Sequence, residues 1–305
     1  MIIDAHVHVW DLRRASYPWL GPSLEPINRT VEIREVLPAL ERAGVTRVVL
    51  VQSADNEADT ANMFDVARSH PELVAGVVGW VPLASPERIP DQLEHLRRSG
   101  RLVGVRNLIH DQPDPEWITR PGPDHGLGVL EAAGVPFDFV TSNPEALALV
   151  PGISERHPAL RLVIDHLGKP PVGGTAAQRR AWRQLLSEAA QNPLVFAKIS
   201  GLYAGSGDPA GWTPDGVRPF VAEAIEILGA ERLMFGGDWP ISVTAGGYDR
   251  VTGAVLDLVR ELSEAEQDAV LAATATSFYR LTESSGPDPA PVAREGARRP
   301  ASPVR

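Results

Sequence analysis

The amino-acid sequence predicts an α/β protein folded as a (β/α)8 TIM barrel. Eight short, β-branched runs alternate along the chain with amphipathic segments. Many of these runs are almost continuously apolar, which is typical of parallel strands that are covered on both faces. Several connecting segments end in a helical pattern, a glycine and then the next strand. Eight βα units in one chain favour a closed barrel, and an open doubly wound sheet is the alternative.

The predicted strands are spaced widely enough for one helix between each pair. They are IIDAHVHVW from Ile2, RVVLVQS from Arg47, LVAGVVGWVPL from Leu73, LVGVRNLI from Leu102, VPFDFV from Val135, LRLVIDHLG from Leu160, VFAKISG from Val195 and RLMFGGDW from Arg232. Glycines stand directly before four of the strands, where a residue in the left-handed conformation would end the preceding helix. These glycines are Gly44, Gly100, Gly134 and Gly229.

The chain is predicted to form one domain followed by a short tail. The barrel is expected to occupy residues 1–282. Residues 283–305 have no hydrophobic periodicity and are rich in Pro, Ala and Arg, so we expect them to form a disordered tail.

The composition excludes several classes of protein. Hydrophobic residues make up 43% and charged residues 22% of the 305 residues, and the formal net charge is −10. No segment concentrates enough positive charge to follow a phosphate backbone, so we expect no nucleic-acid partner. The absence of cysteine excludes disulfides, thiolate metal sites and cysteine nucleophiles. We find neither a signal-peptide pattern nor a membrane-spanning stretch and expect a cytoplasmic protein, and a homodimer is left open.

Two histidines lie at the end of the first predicted strand, shortly after Asp4. Because residues two apart on a strand point to the same side, His6 and His8 can face one ion or one substrate at the barrel mouth. Barrel enzymes carry their chemistry at the carboxyl ends of strands, which makes the pair a candidate site. The alternative is two hydrogen-bonded histidines on a half-exposed strand.

Polar residues also end the sixth and eighth predicted strands. His166 follows an apolar run and lies close to Gly168, which would let a ligand approach closely. We expect its neighbour Asp165 to point to the other face and to cap a helix or support a neighbouring residue. Asp238 follows two glycines and can act as a general base or a metal ligand. The alternative role of Asp238, a helix N-cap, is less favoured because Pro240 delays the next helix.

These residues are predicted to converge, since the first and eighth strands are neighbours in a closed barrel. Together, His6, His8, His166 and Asp238 could bind a single divalent metal ion, of which Zn²⁺ is the expected one. The same residues could also polarise a carbonyl and activate water without a metal.

Other residues at or after the strand ends are candidates for contacting a substrate. Arg106 could hold a carboxylate or hydroxyl group, or could form a structural ion pair. His110, on the following loop, could protonate a leaving alkoxide or bind a hydroxyl. An aromatic surface beside hydrogen-bonding groups suits a sugar ring, although each tryptophan could equally pack in the core and the lysine could pair with a buried Asp. These further candidates are Gln52, Trp80, Lys198 and Trp239.

A series of motifs then resembles a known family. In order they are DAHVHVW, GVRN followed by HDQPDPEW, IDHLGKP, KISGL, FGGDWP and SFYRL. They resemble the amidohydrolase superfamily (amidohydrolase family 2), and within it the lactonase-type branch that includes L-fuconolactonase, L-rhamnonolactonase and 2-pyrone-4,6-dicarboxylate lactonase. The resemblance implies a metal-dependent-hydrolase-like barrel that opens a cyclic ester. It is specific for the branch and not for a substrate.

The resemblance also implies roles for individual residues. His6 and His8 match the first-strand pair, His166 the single later histidine, and Asp238 the final-strand aspartate that activates water. Members with two metals carry a bridging Lys or Glu on a middle strand, whereas the fifth strand here reads VPFDFV, so a two-metal site is not expected. The resemblance to this branch leaves open whether the protein binds one metal ion or none. Relatives often have RH where this chain has RN at Arg106, which leaves the substrate open.

We therefore expect a hydrolase that opens a lactone, a sugar-derived aldonolactone, in carbohydrate catabolism. The histidines, directly or through one metal ion, would polarise the ring carbonyl while Asp238 takes a proton from water. The ring oxygen would leave with a proton from Asp238 or His110. The alternatives are a metal-dependent decarboxylase of the same superfamily, a hydrolase of acyclic esters or amides, and a non-catalytic sugar-acid binding protein.

Overall fold

The computed structural model describes residues 1–141, 143–203, 208 and 211–282. Its eight strands form one parallel sheet in sequence order. The strands are β1 (Ile2–Val7), β2 (Val45–Val51), β3 (Val74–Gly79), β4 (Leu102–Arg106), β5 (Phe137–Phe139), β6 (Leu162–Ile164), β7 (Val195–Ile199) and β8 (Leu233–Phe235). A parallel bridge between Val7 and Trp239 joins the first strand to the last. The predicted TIM barrel is confirmed, and the predicted tail lies outside the described residues.

A helix follows each strand, and two short helices follow the last of these. The helices are α1 (Leu37–Ala43), α2 (Glu57–Ser69), α3 (Ile89–Ser99), α4 (Pro121–Ala132), α5 (Leu149–Arg156), α6 (Ala176–Ala189), α7 (Pro214–Leu228), α8 (Tyr248–Val259), α9 (Glu264–Asp268) and α10 (Thr274–Tyr279). Side chains of Asn56, Thr175, Thr213 and Ser263 accept first-turn N–H groups and so fix where four helices begin. Within the described ranges, no helix has the length and apolar character that crossing a bilayer requires.

Three of the four helix-ending glycines have the predicted positive φ. Gly44 is left-handed as predicted, and Gly134 has a φ of 66°. Gly229 has a φ of 74° but a ψ of 158°, so its conformation is not the left-handed one that was predicted. The prediction is wrong for Gly100, whose φ of 172° is extended backbone. Glycine is needed there for a different reason, because a Cβ would lie 2.5 Å from a ring carbon of Phe64. Close packing, and not a left-handed turn, therefore explains this glycine.

The hydrophobic core has an inner and an outer part. The inner part fills the barrel with small and branched side chains such as Ala5 and Val51, and Phe278 and Tyr279 of α10 pack beneath them. The outer part lies between strands and helices and is larger. Because parallel strands are covered on both faces, these strands read as continuous apolar runs in the sequence.

The long segment between β1 and α1 folds over the mouth of the barrel. Trp10 and Val31 exchange backbone hydrogen bonds across this segment, and the Trp10 ring packs edge-on against Trp19. The indole N–H of Trp19 donates to the carbonyl of Ser53, at 2.6 Å. The segment is therefore held against the end of β2 and can form part of a cavity wall.

Candidate active site

His6 and His8 lie where β1 reaches the mouth of the barrel. Their rings meet edge-on at 4.8 Å, and both Nε2 atoms face the same carboxylate oxygen of Asp238, at 3.8 and 3.5 Å. Nδ1 of His8 lies 2.7 Å from the carbonyl of Val51. Because a carbonyl only accepts, Nδ1 carries a hydrogen, and Nε2 is the ring nitrogen that faces the site.

His166 lies in a left-handed turn that directly follows β6. Its φ is 56°, a conformation that is uncommon for residues with a side chain and recurs at functional sites. The turn brings its ring to 4.6 Å from the His6 ring, while Nδ1 is hydrogen-bonded to Ser200 Oγ at 2.9 Å. Burial lowers the pKa of both His6 and His166 below the ordinary value, so both imidazoles are neutral.

Asp238 follows β8 and is also left-handed, with a φ of 53°. The preceding Gly236 passes so close to β1 that a Cβ would lie 2.8 Å from Cβ of His6. The phenol of Tyr203 donates to Oδ2 of Asp238 at 2.6 Å, which leaves Oδ1 directed at the imidazoles. Burial alone would raise the pKa of Asp238, but His166 and the other two histidines outweigh it and hold the pKa below the ordinary value. Asp238 is therefore ionised.

A buried network of charged side chains supports His6 from below. Lys198 Nζ lies 2.6 Å from Asp138, 3.0 Å from Asp165 and 3.1 Å from Nδ1 of His6. Arg106 contacts the other oxygen of Asp165 at 2.9 Å, so two acids face two bases. Burial opposes ionisation of Asp165, yet Lys198 keeps its pKa well below the ordinary value. The network fixes the His6 ring. Asp165 supports its neighbours, as predicted, but the prediction that it points to the other face is wrong, because it contacts His6 and Arg106.

The site opens into a cavity of about 270 Å³. Part of its lining is polar and comes mostly from strand ends and the turns after them: His8, Ser53, Arg106, His110, Asp111, His166, Lys169 and Asp238. The rest is apolar: Trp19, Leu24, Ile27, Leu108, Val140 and Ile241. We call His6, His8, His166 and Asp238 the site floor, and Trp19, Leu24, Ile27, His110, Lys169 and Ile241 the site wall.

Two polar residues of the site wall have atoms without a protein partner. Nδ1 of His110 is buried and accepts or donates no hydrogen bond within the described part of the chain. Burial, with Lys169 and Arg106 nearby, lowers the pKa of His110 to about 3, so its ring is neutral. The ammonium of Lys169 likewise has no hydrogen bond or ion pair to a described residue. Both groups are free to bind a ligand in the cavity.

Of the ten predicted residues, five line this cavity and five do not. His6 is one of the latter: it is fully buried, and its ring contacts the rings of His8 and His166. Gln52 is buried and donates to Asp55 and to the carbonyl of Arg106, so it supports the cavity edge. Lys198 is fully buried in its ion pairs, as the pairing alternative predicted. Trp80 and Trp239 are also absent from the lining. Trp19 supplies the tryptophan of the cavity instead.

Three residues of the site were not predicted from the sequence, namely Lys169, Tyr203 and Trp19. Lys169 stands inside the IDHLGKP motif, three residues after His166, so its position was a usable signal. Tyr203 ends the KISGLY run and was equally close to a recognised motif. Trp19 lies in a long segment without periodicity, so nothing in the sequence indicated that it faces the cavity.

The site floor has donors that fit one metal ion. Nitrogen or oxygen atoms of His6, His166 and Asp238 lie within 4.8 Å of one another, and all three side chains are buried. Two neutral imidazoles and a carboxylate are a common donor set for Zn²⁺, and Nε2 of His8 lies beside them, 3.5 Å from Asp238. The fifth strand carries Asp138 at its centre, and Asp138 is paired with Lys198. A second metal has no comparable donor set among the described residues.

Comparisons with known proteins show what this chain is similar to. The family model described as amidohydrolase matches residues 3–281. An L-fucono-1,5-lactonase of Burkholderia ambifaria is 35% identical over 93% of this chain and 97% of its own length. An L-fucono-1,5-lactonase of Burkholderia multivorans is 31% identical over 92% of this chain and 96% of its own. The crystal structure of an amidohydrolase from Burkholderia multivorans with bound zinc is 29% identical and superposes with a TM-score of 0.86 over 92% of this chain and all of that one.

Proposed function

The chain belongs to the amidohydrolase family, and from this premise we propose that it opens a sugar-derived aldonolactone. It is a hydrolase that acts on the ester bond of a lactone, as its curated relatives are named to do. The observation that carries the proposal is the ionised Asp238 facing three imidazoles at the bottom of a cavity. Such a carboxylate can accept a proton from water beside an ester carbonyl.

We also propose that His6, His166 and Asp238 hold one Zn²⁺, with His8 beside it. A bound zinc ion would polarise the carbonyl and lower the pKa of water, which is its usual contribution to hydrolysis. Zinc in the structure of the Burkholderia multivorans relative and the donor set found here support this assignment.

Residues of this chain carry the proton and charge movements. Oδ1 of Asp238 accepts the proton of the attacking water, while Tyr203 holds Oδ2 and fixes the orientation of the carboxylate. Arg106 lies 3.3 Å from Nε2 of His6, and its Nε is buried without a partner. It can therefore stabilise the negative oxygen that forms on the carbonyl carbon.

The leaving ring oxygen needs a proton, and the site contains two candidate donors. The low pKa of His110 makes its ring neutral at physiological pH, so it serves better as a hydrogen-bond partner of a sugar hydroxyl. Asp238 has just taken a proton from water and can return it to the ring oxygen. We therefore assign the proton donor role to Asp238 and substrate binding to His110 and Lys169.

The cavity supports a small-molecule substrate. Its volume of about 270 Å³ suits a single sugar ring, and its lining combines apolar side chains with polar ones. We further propose a role in carbohydrate catabolism and a cytoplasmic location. Growth of a deletion strain on candidate sugars tests the role, and cell fractionation tests the location.

A pH-indicator assay with a panel of sugar and dicarboxylate lactones tests the proposed function. The protein is metal-quantified and assayed before and after chelation, and again with added Zn²⁺. We expect turnover of aldonolactones that falls on chelation and returns with zinc. Turnover that survives complete metal removal would overturn the zinc assignment. No turnover, together with CO₂ release from an aromatic or enoic acid, would favour a decarboxylase; saturable binding without turnover would favour a binding protein.

A further inference from the structure

A second cavity lies on the opposite face of the barrel. Its lining includes the starts of β3, β4 and β5 and the residues after α10, so it opens at the amino ends of the strands. Its volume is about 310 Å³, similar to that of the active-site cavity. We call it the lower cavity.

Four arginines line the lower cavity, namely Arg97, Arg101, Arg161 and Arg280. Arg47 is 9% exposed and borders it, because its guanidinium donates to the carbonyl of Thr282, which belongs to the lining. None of these five arginines forms an ion pair within 4.0 Å with a carboxylate of the described residues. This is unexpected in a chain with a formal charge of −10.

Two of these arginines have a lowered pKa, partly because another guanidinium lies nearby. Burial and the nearby Arg101 lower the pKa of Arg47, and burial and the nearby Arg280 lower the pKa of Arg161. Some of these guanidinium groups donate hydrogen bonds to backbone carbonyls, as Arg97 does to Ala133 at 3.0 Å. A carbonyl carries no net charge, so such a bond does not neutralise the positive charges. A guanidinium has five N–H groups, so most of its donors remain available.

Two further observations indicate that the arrangement serves a ligand. Nε and Nη2 of Arg47 are buried and have no hydrogen-bond partner in the described residues. Arg280 ends α10 with a φ of 52°, a left-handed position where glycine is favoured over a residue with a side chain. If this position served only to end the helix, glycine would give a more stable protein than arginine.

From these contacts we propose that the lower cavity binds a polyvalent phosphate anion. Arginine matches phosphate because its planar guanidinium donates two parallel hydrogen bonds to two oxygens. Tyr279, Leu102 and Val135 add apolar surface beside the arginines, which suits the organic part of a phosphorylated small molecule. The proposal does not depend on the identity of the lactone.

Titration calorimetry of the full chain with inorganic pyrophosphate at low ionic strength tests this site. We expect one pyrophosphate per chain, with binding that weakens as salt screens the charges. Arg101→Gln combined with Arg280→Gln should weaken binding about tenfold or more, because two charge-assisted contacts are lost. Lactone hydrolysis without pyrophosphate should stay within about twofold of the parent, which shows that the double variant is folded.

Arg98→Gln is the matched control. Arg98 is adjacent to Arg97 on α3 but is paired with Glu94 and lies outside the lower cavity. This variant should bind pyrophosphate as the parent does. No detectable binding to the parent, equal binding by the parent and the double variant, or an equal loss in the control would each overturn the proposal.

Discussion

The site floor and the site wall differ in how their polar atoms are held. In the floor, Nδ1 of His8, Nδ1 of His166 and Oδ2 of Asp238 each have a protein partner within 2.9 Å. In the wall, His110 keeps a buried nitrogen without a partner and Lys169 an ammonium without one among the described residues. A floor with fixed dipoles suits transition-state stabilisation, whereas a wall with free donors suits substrate selection. Substitutions in the floor should therefore change kcat, and substitutions in the wall should change KM.

The largest effect is expected for Asp238→Asn, which removes the base at nearly unchanged volume. We expect kcat to fall by about 10² to 10⁴, the usual contribution of general base catalysis, with a smaller change in KM. Steady-state kinetics on the lactone found by screening measure this effect. Asp257→Asn, at an exposed position on α8, is the control and should retain activity. Activity of Asp238→Asn within about threefold of the parent would contradict the assignment.

Gly201→Ala should disturb the floor without removing any of its functional groups. Gly201 has a φ of 55°, and a Cβ there would lie 2.5 Å from Nδ1 of His166 and 2.7 Å from Oδ2 of Asp238. Displacement of these groups by about 1 Å should lower kcat about 10²-fold. Gly173→Ala is a matched control, because Gly173 also has a positive φ but a Cβ would have no neighbour within 4 Å.

Both glycine variants should lose about 1 kcal/mol of stability from the backbone, and only Gly201→Ala should lose most of its activity. Urea unfolding and kinetics on the same preparations separate the two effects. Equal activity in the two variants would show that the floor is not as tightly constrained as its contacts indicate.

Lys169→Met tests the wall. Loss of a charged hydrogen bond to the substrate should raise KM about tenfold and change kcat less. Lys169→Arg keeps the charge and should recover part of the loss. A fall in kcat of the size expected for Asp238→Asn would show that Lys169 takes part in the chemical step. It would contradict the assignment of the site wall to substrate binding.

The smallest expected effect concerns the unfolding free energy of the protein at acidic pH, to which His110 of the site wall contributes. Because the pKa of His110 falls from 6.5 to about 3 on folding, the unfolded chain binds a proton below pH 6.5 that the folded chain does not bind. The contribution of His110 to stability is therefore present above pH 6.5 and is lost as the pH falls toward 3.

His110→Gln should reduce the loss of unfolding free energy on acidification, by up to about 1.4 kcal/mol per pH unit. Urea unfolding at pH 7 and pH 5 measures this difference, and the exposed His95→Gln provides the control. Identical pH slopes for the parent and His110→Gln would contradict the burial of the neutral ring.

The sequence was sufficient to predict the barrel and most of the floor. Strands buried on both faces leave continuous apolar runs, and a polar residue at the end of such a run is conspicuous, as His166 and Asp238 are. The wall was harder to predict because side chains on irregular segments have no periodicity, and Trp19 is the clearest case. Lys198 was hard to assign for another reason: whether a strand-end residue faces the cavity or the barrel interior depends on strand tilt and register, which the sequence does not give directly.

The buried network links the first and last parts of the chain that the structure describes. Tyr279 of α10 donates to Asp138 at 2.7 Å, Asp138 pairs with Lys198, and Lys198 contacts His6 of β1. During synthesis, the strand that carries His6 is made well before the helix that completes its support. A chain that stops before α10 would therefore lack the Tyr279 hydrogen bond that completes the support of His6.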